Sequence, residues 1–186
     1  MRKRLENLAA AWALAAADAV RAETEKAAGH AAGAPAALVT LLAYPGASIE
    51  RVRQAVGVTH SGGVRLVDRL EADGLVRRRR TADRRVAALE LTPRGRRRAQ
   101  RVLDERAKGV EQLLAPLSEP ERASLTELLE RLLMPLPKDH PQLERICRLC
   151  DYWTCDGTTQ ACPVGRGARG RRDARRANAN SMDPRD

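Results

Sequence analysis

The sequence predicts a mainly α-helical fold with one small β-hairpin. Apolar residues recur every three to four positions through most of the first 134 residues, which is the period of amphipathic helices. Strong turn dipeptides, Pro45-Gly46 and Asp73-Gly74, separate these segments. The run LVRRRRTADRRVAALELT breaks the helical pattern and indicates two short strands around the turn TADR.

The first element is a long, alanine-rich helix that ends before the break at 29–35. Its apolar stripe consists of Leu5, Leu8, Trp12, Ala16, Ala19 and Val20. Because a small domain rarely needs such a helix at its edge, we expect this helix to form part of a dimer interface. A shorter helix, ALVTLLAYPG, follows and stops at Pro45-Gly46.

The next two helices form a helix-turn-helix. Ser48 is placed to cap the first of them, and Gly57 ends it with the left-handed turn that glycine permits. Thr59 starts the second helix almost at once, and such a tight turn defines this motif. At 100° per residue, one side of the second helix carries Val64, Val67 and Leu70, and the other carries Ser61, Arg65 and Arg69. The first side suits a core, and the second suits phosphates and base edges.

A basic hairpin and two long helices follow. The hairpin carries six arginines, and Thr92-Pro93 then opens a helix with a cap and a first-turn proline. The segment SEPE at 118–121 has the spacing of a capping box and precedes another leucine-rich helical face. From Gly165 to the last residue the chain has almost no apolar content, so we predict a disordered basic tail at 165–186.

The net charge favours a polyanionic partner. The 186 residues include 34 Lys and Arg against 24 Asp and Glu, a formal charge of +10, and clustered cations gain free energy by releasing counterions from nucleic acid. No apolar run approaches the roughly 20 residues that span a bilayer, and the basic, alanine-rich start lacks the cleavage context of a signal peptide. We therefore expect a cytoplasmic protein that does not bind membranes.

The order of these elements resembles the MarR family of bacterial transcription regulators, which are homodimeric winged-helix proteins. The resemblance covers about residues 5–134 and is most specific in RLVDRLEADGLVRRRRTADRRVAALELTPRG. It implies a winged helix-turn-helix with dimerisation helices over 1–134 and a DNA-binding core at about 36–92. It also implies a homodimer on a pseudo-palindromic double-stranded operator and a small-molecule effector, whereas a redox effector is suggested by the cysteine segment described below.

By this resemblance the helix from Thr59 enters the major groove and the wing tip reaches the adjacent minor groove. The predicted DNA-binding residues are Thr59, Ser61, Gly62, Arg65, Arg69, Asp83, Arg84 and Arg85. Arginines suit guanine edges, phosphates and the negative potential of a narrow minor groove, whereas Asp83 is expected to orient a neighbouring arginine. Because side chains alternate along a strand, only about half of the arginines at 77–80 can face DNA. Gly62 and Gly63 depart from the residues expected early in this helix.

Enzymatic functions have little support. The sequence contains no glycine-rich phosphate loop, no His-rich metal motif and no convincing nucleophile with a base. The three histidines are scattered over unrelated segments, and helix packing explains the leucine stripes better than a cofactor site does. We therefore predict that the protein is not an enzyme.

All four cysteines fall in one segment, CRLCDYWTCDGTTQACPV, inside the predicted Cys-rich region at 140–164. The predicted ligands of one metal site are Cys147, Cys150, Cys155 and Cys162. Four thiolates around one point suit either tetrahedral Zn²⁺ or an iron–sulfur cluster, and the Cys162-Pro163 close resembles ferredoxin-type motifs. A metal-free thiol switch is a third interpretation, and incidental thiols or a disulfide are a fourth.

The main hypothesis is therefore a DNA-binding transcription regulator. We expect it to act as a repressor and to be modulated by the four-cysteine site. An alternative from another class is an iron–sulfur electron-transfer protein whose basic face docks a protein partner. Retention on DNA discriminates between the two.

Overall fold

The structure is a computed structural model that describes residues 2–30, 33–80, 87–155 and 162–180, without the side chains of 80, 87 and 172–180. The fold is mainly helical with one two-stranded antiparallel hairpin, as predicted. The elements in these ranges are α1 (Arg2–Ala28), α2 (Ala34–Ala43), α3 (Ile49–Val56), α4 (His60–Ala72), β1 (Val76–Arg80), β2 (Ala87–Leu91), α5 (Pro93–Leu114), α6 (Glu119–Leu133), α7 (His140–Ile146) and α8 (Pro163–Asn180).

The helix-turn-helix consists of α3 and α4, with the predicted cap at Ser48 and a second cap at Thr59. The backbone N–H of Arg51 donates to Oγ of Ser48 at 3.3 Å, and that of Gly62 donates to Oγ1 of Thr59 at 3.2 Å. Gly57 has φ of 80°, a left-handed conformation that ends α3 and redirects the chain within two residues. These local hydrogen bonds fix where both helices begin and end.

The hydrophobic core surrounds α2, and each neighbouring element packs one apolar face against it. Its largest fully buried side chains include Leu38, Leu41, Val52, Val67, Leu70, Leu75, Leu89 and Val102. On α4 the buried residues are Gly63, Leu66, Val67 and Leu70, whereas Val64 is only partly buried, so the predicted inward face was wrong at that position. A Cβ at Gly63 would lie 2.9 Å from Cβ of Arg53. Gly63 therefore serves the close crossing of α3 and α4.

The wing pairs β1 with β2 in the register Val76 with Leu91 and Arg78 with Leu89. Thr92 caps α5 by accepting a 3.0 Å hydrogen bond from the backbone N–H of Gly95. A Cβ on Gly95 would overlap the carbonyl oxygen of Leu75, so glycine allows the start of α5 to pack directly on the hairpin. This contact fixes the direction of the wing relative to the core.

Two helices present apolar side chains that the single chain does not cover. Along α1 these are Leu5, Leu8, Trp12 and Leu14, with exposures from 45% to 70%. The described residues of α6 include no buried side chain, and Leu128 and Leu132 are 50% and 64% exposed. Helix α1 also packs along α5, and at the C-terminal end of α1 the residues Ala27 and Ala28 are buried.

The C-terminal region follows the core closely. Helix α7 packs on α3, and α8 packs on α6 and α7. The predicted disordered tail at 165–186 was wrong up to residue 180, because α8 occupies 163–180, whereas 181–186 lie outside the described residues. Burial of Val164 and the close approach of Gly167 to the carbonyl of Met134 explain how this polar helix is held. In the described ranges, none of the helices has the length and apolarity needed to cross a bilayer.

Candidate nucleic-acid interface and cysteine pocket

The outward face of α4 carries the residues predicted to contact DNA. Thr59, Ser61, Arg65 and Arg69 are exposed, and Gly62 is partly buried. Oγ1 of Thr59 and Oγ of Ser61 lie 3.3 Å apart and share a hydrogen bond at the start of the helix. Neither Arg65 nor Arg69 forms an ion pair with any described residue. Both guanidinium groups are therefore available to an external acceptor.

The arginines of β1 point to two different sides. Arg77 donates to the carboxylate of Glu90 across the hairpin at 2.8 Å, and Nε of Arg79 lies 3.1 Å from the same carboxylate. The hydrogen bond from Arg77 lowers the pKa of Glu90. Arg77 and Arg79 are 66% and 68% exposed, so their shared partner leaves both open to a ligand.

Arg78 faces the opposite side and joins the wing to α4. Its guanidinium donates to Asp68 at 2.6 Å and to Glu71, and its backbone N–H donates to Glu71 at 3.1 Å. This arginine is therefore a structural bridge. The side chains therefore alternate, with Arg77 and Arg79 on one side of the strand and Arg78 on the other.

The predicted wing-tip residues Asp83, Arg84 and Arg85 belong to the segment 81–86, which lies outside the described residues. Their roles stay predictions.

The structure brings all four cysteines to one cavity of about 160 Å³. The cavity lies between α2, α7 and the first turn of α8, and its other lining residues include Tyr44, Leu143 and Val164. Cys147 ends α7, and Cys162 directly precedes α8. Cys155 is exposed, whereas the other three are partly buried. Residues separated by up to 15 positions therefore share one largely apolar site.

The cysteine side chains interact with one another. A hydrogen bond between Cys147 and Cys150, together with burial, raises the pKa of Cys147, and the same bond lowers the pKa of Cys150 to about 7. The positive charges of Arg106 and Arg148 also favour the Cys150 thiolate. Burial raises the pKa of Cys155. The backbone N–H of Gly165 donates to Sγ of Cys162 at 3.4 Å.

The four cysteines line the cavity without forming a ligand cluster in the structure. Within the ranges it describes, no three His, Cys, Asp or Glu side chains are arranged to hold one ion. The zinc, iron–sulfur and metal-free interpretations of Cys147, Cys150, Cys155 and Cys162 thus stay open at this point.

A buried ion pair connects the cysteine region to the helix-turn-helix. Nη2 of Arg51 on α3 donates to Glu144 on α7 at 2.5 Å, and the Glu144 side chain is only 4% exposed. The Arg51 guanidinium also lies 3.5 Å from the centroid of the Tyr44 ring, which packs edge-on against Tyr152 at 5.6 Å. Desolvation raises the pKa of Tyr44. Sequence reasoning missed this cluster, because no local pattern pairs residues 93 positions apart.

Of the known proteins compared with this chain, solved structures are similar to it. No family model matches the chain, and no curated protein matches it. A MarR family transcriptional regulator from Silicibacter pomeroyi is 28% identical and has a TM-score of 0.52, covering 68% of this chain and 85% of that one. A MarR family protein from Mycobacterium tuberculosis, solved with salicylic acid, is 26% identical with a TM-score of 0.51, covering 63% and 90%.

Escherichia coli MarR, at 20% identity, has a TM-score of 0.58 over 69% of this chain and 96% of its own, and this likeness shows the fold alone. The winged helix-turn-helix and these similarities show that the chain has the MarR-like winged-helix fold found in known transcription regulators.

Proposed function

We propose that the protein is a homodimeric repressor that binds a pseudo-palindromic double-stranded DNA operator. The observation that carries this proposal is the outward face of α4, where Ser61, Arg65 and Arg69 are exposed and neither guanidinium is engaged by a described residue. An α-helix fits the major groove of B-DNA, where arginine can bond two acceptors of one guanine. Helix α4 therefore reads the major groove in this proposal.

The wing supplies backbone and minor-groove contacts. Arg77 and Arg79 are well exposed on β1 and share one carboxylate, which holds them side by side without neutralising both. From the sequence we expect Arg84 and Arg85 to reach the minor groove and Asp83 to orient a neighbouring arginine. The formal charge of +10 adds a salt-sensitive attraction to DNA that does not depend on sequence.

Dimerisation is supported by the apolar side chains that α1 and α6 expose. Burying Leu8 and Trp12, which are 55% and 45% exposed, against a second copy removes apolar surface from water. A two-fold dimer presents two copies of α4 to successive major-groove segments on one side of DNA, which accounts for a pseudo-palindromic operator. An operator-bound dimer would then block transcription by occupying the site.

A small-molecule or redox effector completes the proposal. The Mycobacterium tuberculosis relative was solved with salicylic acid, so a small organic ligand is one effector class to test. The alternative of an iron–sulfur electron-transfer protein is not favoured, because the similar structures are transcription regulators.

The test selects genomic fragments by binding to the purified full chain and then measures fluorescence anisotropy on a selected duplex and its scrambled version. We expect at least a roughly 10³-fold preference for the selected duplex and an affinity that falls as salt rises. The variant Arg65→Ala should lose about 1–3 kcal/mol, roughly 5- to 150-fold, and should also relax the preference. Arg101→Ala, which removes an exposed arginine of α5, is the charge-matched control. Equal affinity for both duplexes would contradict the proposal.

A further inference from the structure

We propose that the four cysteines form one thiolate-ligated metal site, and that its occupancy fixes helix α7 against the helix-turn-helix. The ligands are Cys147, Cys150, Cys155 and Cys162, which line a single cavity. The occupant is a thiophilic metal centre, either one Zn²⁺ ion or an iron–sulfur cluster. The metal site stands independently of DNA binding, whereas its regulatory consequence rests on the proposed function.

The donor set fits a thiophilic centre. Cysteine thiolates select zinc and iron–sulfur clusters over hard cations, and a closed site of four thiolates leaves no open position for chemistry. Four thiolates around Zn²⁺ carry a net charge of −2, and the positively charged Arg148 lines the same cavity. Metal binding displaces the thiol protons as the sulfurs converge on the metal.

The surroundings of the cavity also suit bound sulfur. The N–H of Gly165 points at Sγ of Cys162, and such hydrogen bonds stabilise metal-bound thiolates. Apolar residues such as Leu143 and Val164 restrict water access.

Helix α7 connects the site to α3. The first proposed ligand, Cys147, caps α7, and its backbone N–H donates to the carbonyl of Leu143 at 3.0 Å. Less than one turn earlier, the buried carboxylate of Glu144 holds Arg51 of α3. A metal that fixes Cys147 therefore also fixes the position of Glu144 against the helix-turn-helix.

Two further contacts widen this connection. The guanidinium of Arg145 lies over Gly57, so that a Cβ at this turn glycine would be 3.0 Å from Nε of Arg145. Tyr152, between the second and third cysteines, packs against Tyr44, which Arg51 also covers. Helix α7 thus contacts both the first helix and the turn of the helix-turn-helix, and the cysteine segment packs on Tyr44 beside them. Loss of the metal is expected to loosen both contacts and to change how α4 meets DNA.

The first experiment tests the metal site. The full chain is purified without oxygen, depleted with a chelator, and reloaded with Zn²⁺ alone or with Fe²⁺ and sulfide. Metal, sulfide and the visible spectrum are then measured. We expect one centre per chain, either colourless with zinc or coloured with iron and sulfide. Cys147→Ser should lower metal retention at least about 10-fold, and so should Cys155→Ser, whose exposed position is least prone to disturb folding. If the wild type retains metal by neither route, or if both variants retain as much metal as the wild type, the proposed site is overturned.

The second experiment tests the connection by hydrogen exchange and DNA affinity. Loading should slow amide exchange in α7 and α3 at least about 10-fold and change DNA affinity at least about 5-fold. The variant Glu144→Gln should retain the metal. In this variant, metal loading should change amide exchange in α3 and α7, and DNA affinity, by no more than about 2-fold. The control is Glu50→Gln, which alters an ion pair within α3 and should behave like the wild type. Unchanged exchange in α3 of loaded wild-type protein would refute the connection.

The two proposals fail in different ways. If the wild type retains metal and shows protected α3 but has no preference among DNA sequences, the proposed function fails and the metal site stands. If DNA binding is sequence-dependent but no metal is retained, the inference fails and the function stands. A disulfide that forms without any retained metal would likewise replace the metal site with a thiol switch.

Discussion

The bridge made by Arg78 allows a prediction that separates folding from DNA contact. The substitution Arg78→Met removes the guanidinium but keeps an unbranched apolar stem over the hairpin. Its carboxylate partners, Asp68 and Glu71, are 54% and 36% exposed, and Arg78 itself is 31% exposed. Exposed ion pairs contribute about 0.2–1 kcal/mol each after solvent screening. Loss of both pairs is therefore expected to cost about 0.4–2 kcal/mol of unfolding free energy.

The assay is urea unfolding at a fixed protein concentration, combined with DNA affinity at several salt concentrations. Arg78→Met should lower the unfolding free energy by that amount while leaving the slope of affinity against salt unchanged. The comparison variant, Arg65→Met, removes an exposed arginine of α4 and should do the opposite. It should leave stability within about 0.5 kcal/mol and weaken DNA binding by about 1–3 kcal/mol.

This reasoning would be refuted if Arg78→Met left the unfolding free energy unchanged and lowered the slope of log affinity against log salt by about one, the value for one lost phosphate contact. Such a result would mean that Arg78 contacts DNA directly and that its bonds to α4 are dispensable.

Three further predictions follow from packing. Leu38→Ala, at a fully buried position of α2, should cost about 2–5 kcal/mol in urea unfolding, and a loss under 1 kcal/mol would contradict the described core. Gly95→Ala places a Cβ against the carbonyl of Leu75 and should lower the melting temperature measured by circular dichroism more than Gly170→Ala, a change at a helical glycine whose Cβ meets no neighbour. Trp12→Glu puts a charge on the exposed apolar face of α1 and should shift the dimer toward monomer in analytical ultracentrifugation, whereas an unchanged dimer would place the interface elsewhere.

Features set by neighbouring residues could be predicted from the sequence. The caps at Ser48, Thr59 and Thr92 depend on one side chain and a backbone N–H three residues later, so their spacing is visible in the chain. The hairpin and its alternating arginines follow from the same local rules. The exposed residues of α4 were also placed correctly, because helical period fixes which side chains share a face.

Features set by distant contacts could not be predicted. Helix periodicity marked Val64 as inward, but the close crossing at Gly63 rotates the buried face toward Leu66. The partner of Arg51 lies on a helix too short to have a distinctive pattern. Helix α8 has little apolar content, and its first turns are held by tertiary packing at Val164 and Gly167. In each case a tertiary contact overrides what the local residues suggest.

Hydroxyl-radical footprinting of the full chain on a selected operator tests the central claim most directly. A dimer that places two copies of α4 in the major groove predicts two symmetrically related protected segments on one face of the duplex. Their centres should be separated by about one helical turn, roughly 10 base pairs, or a multiple of it. A single protected segment, or no protection on fragments that the protein retains, would contradict the account.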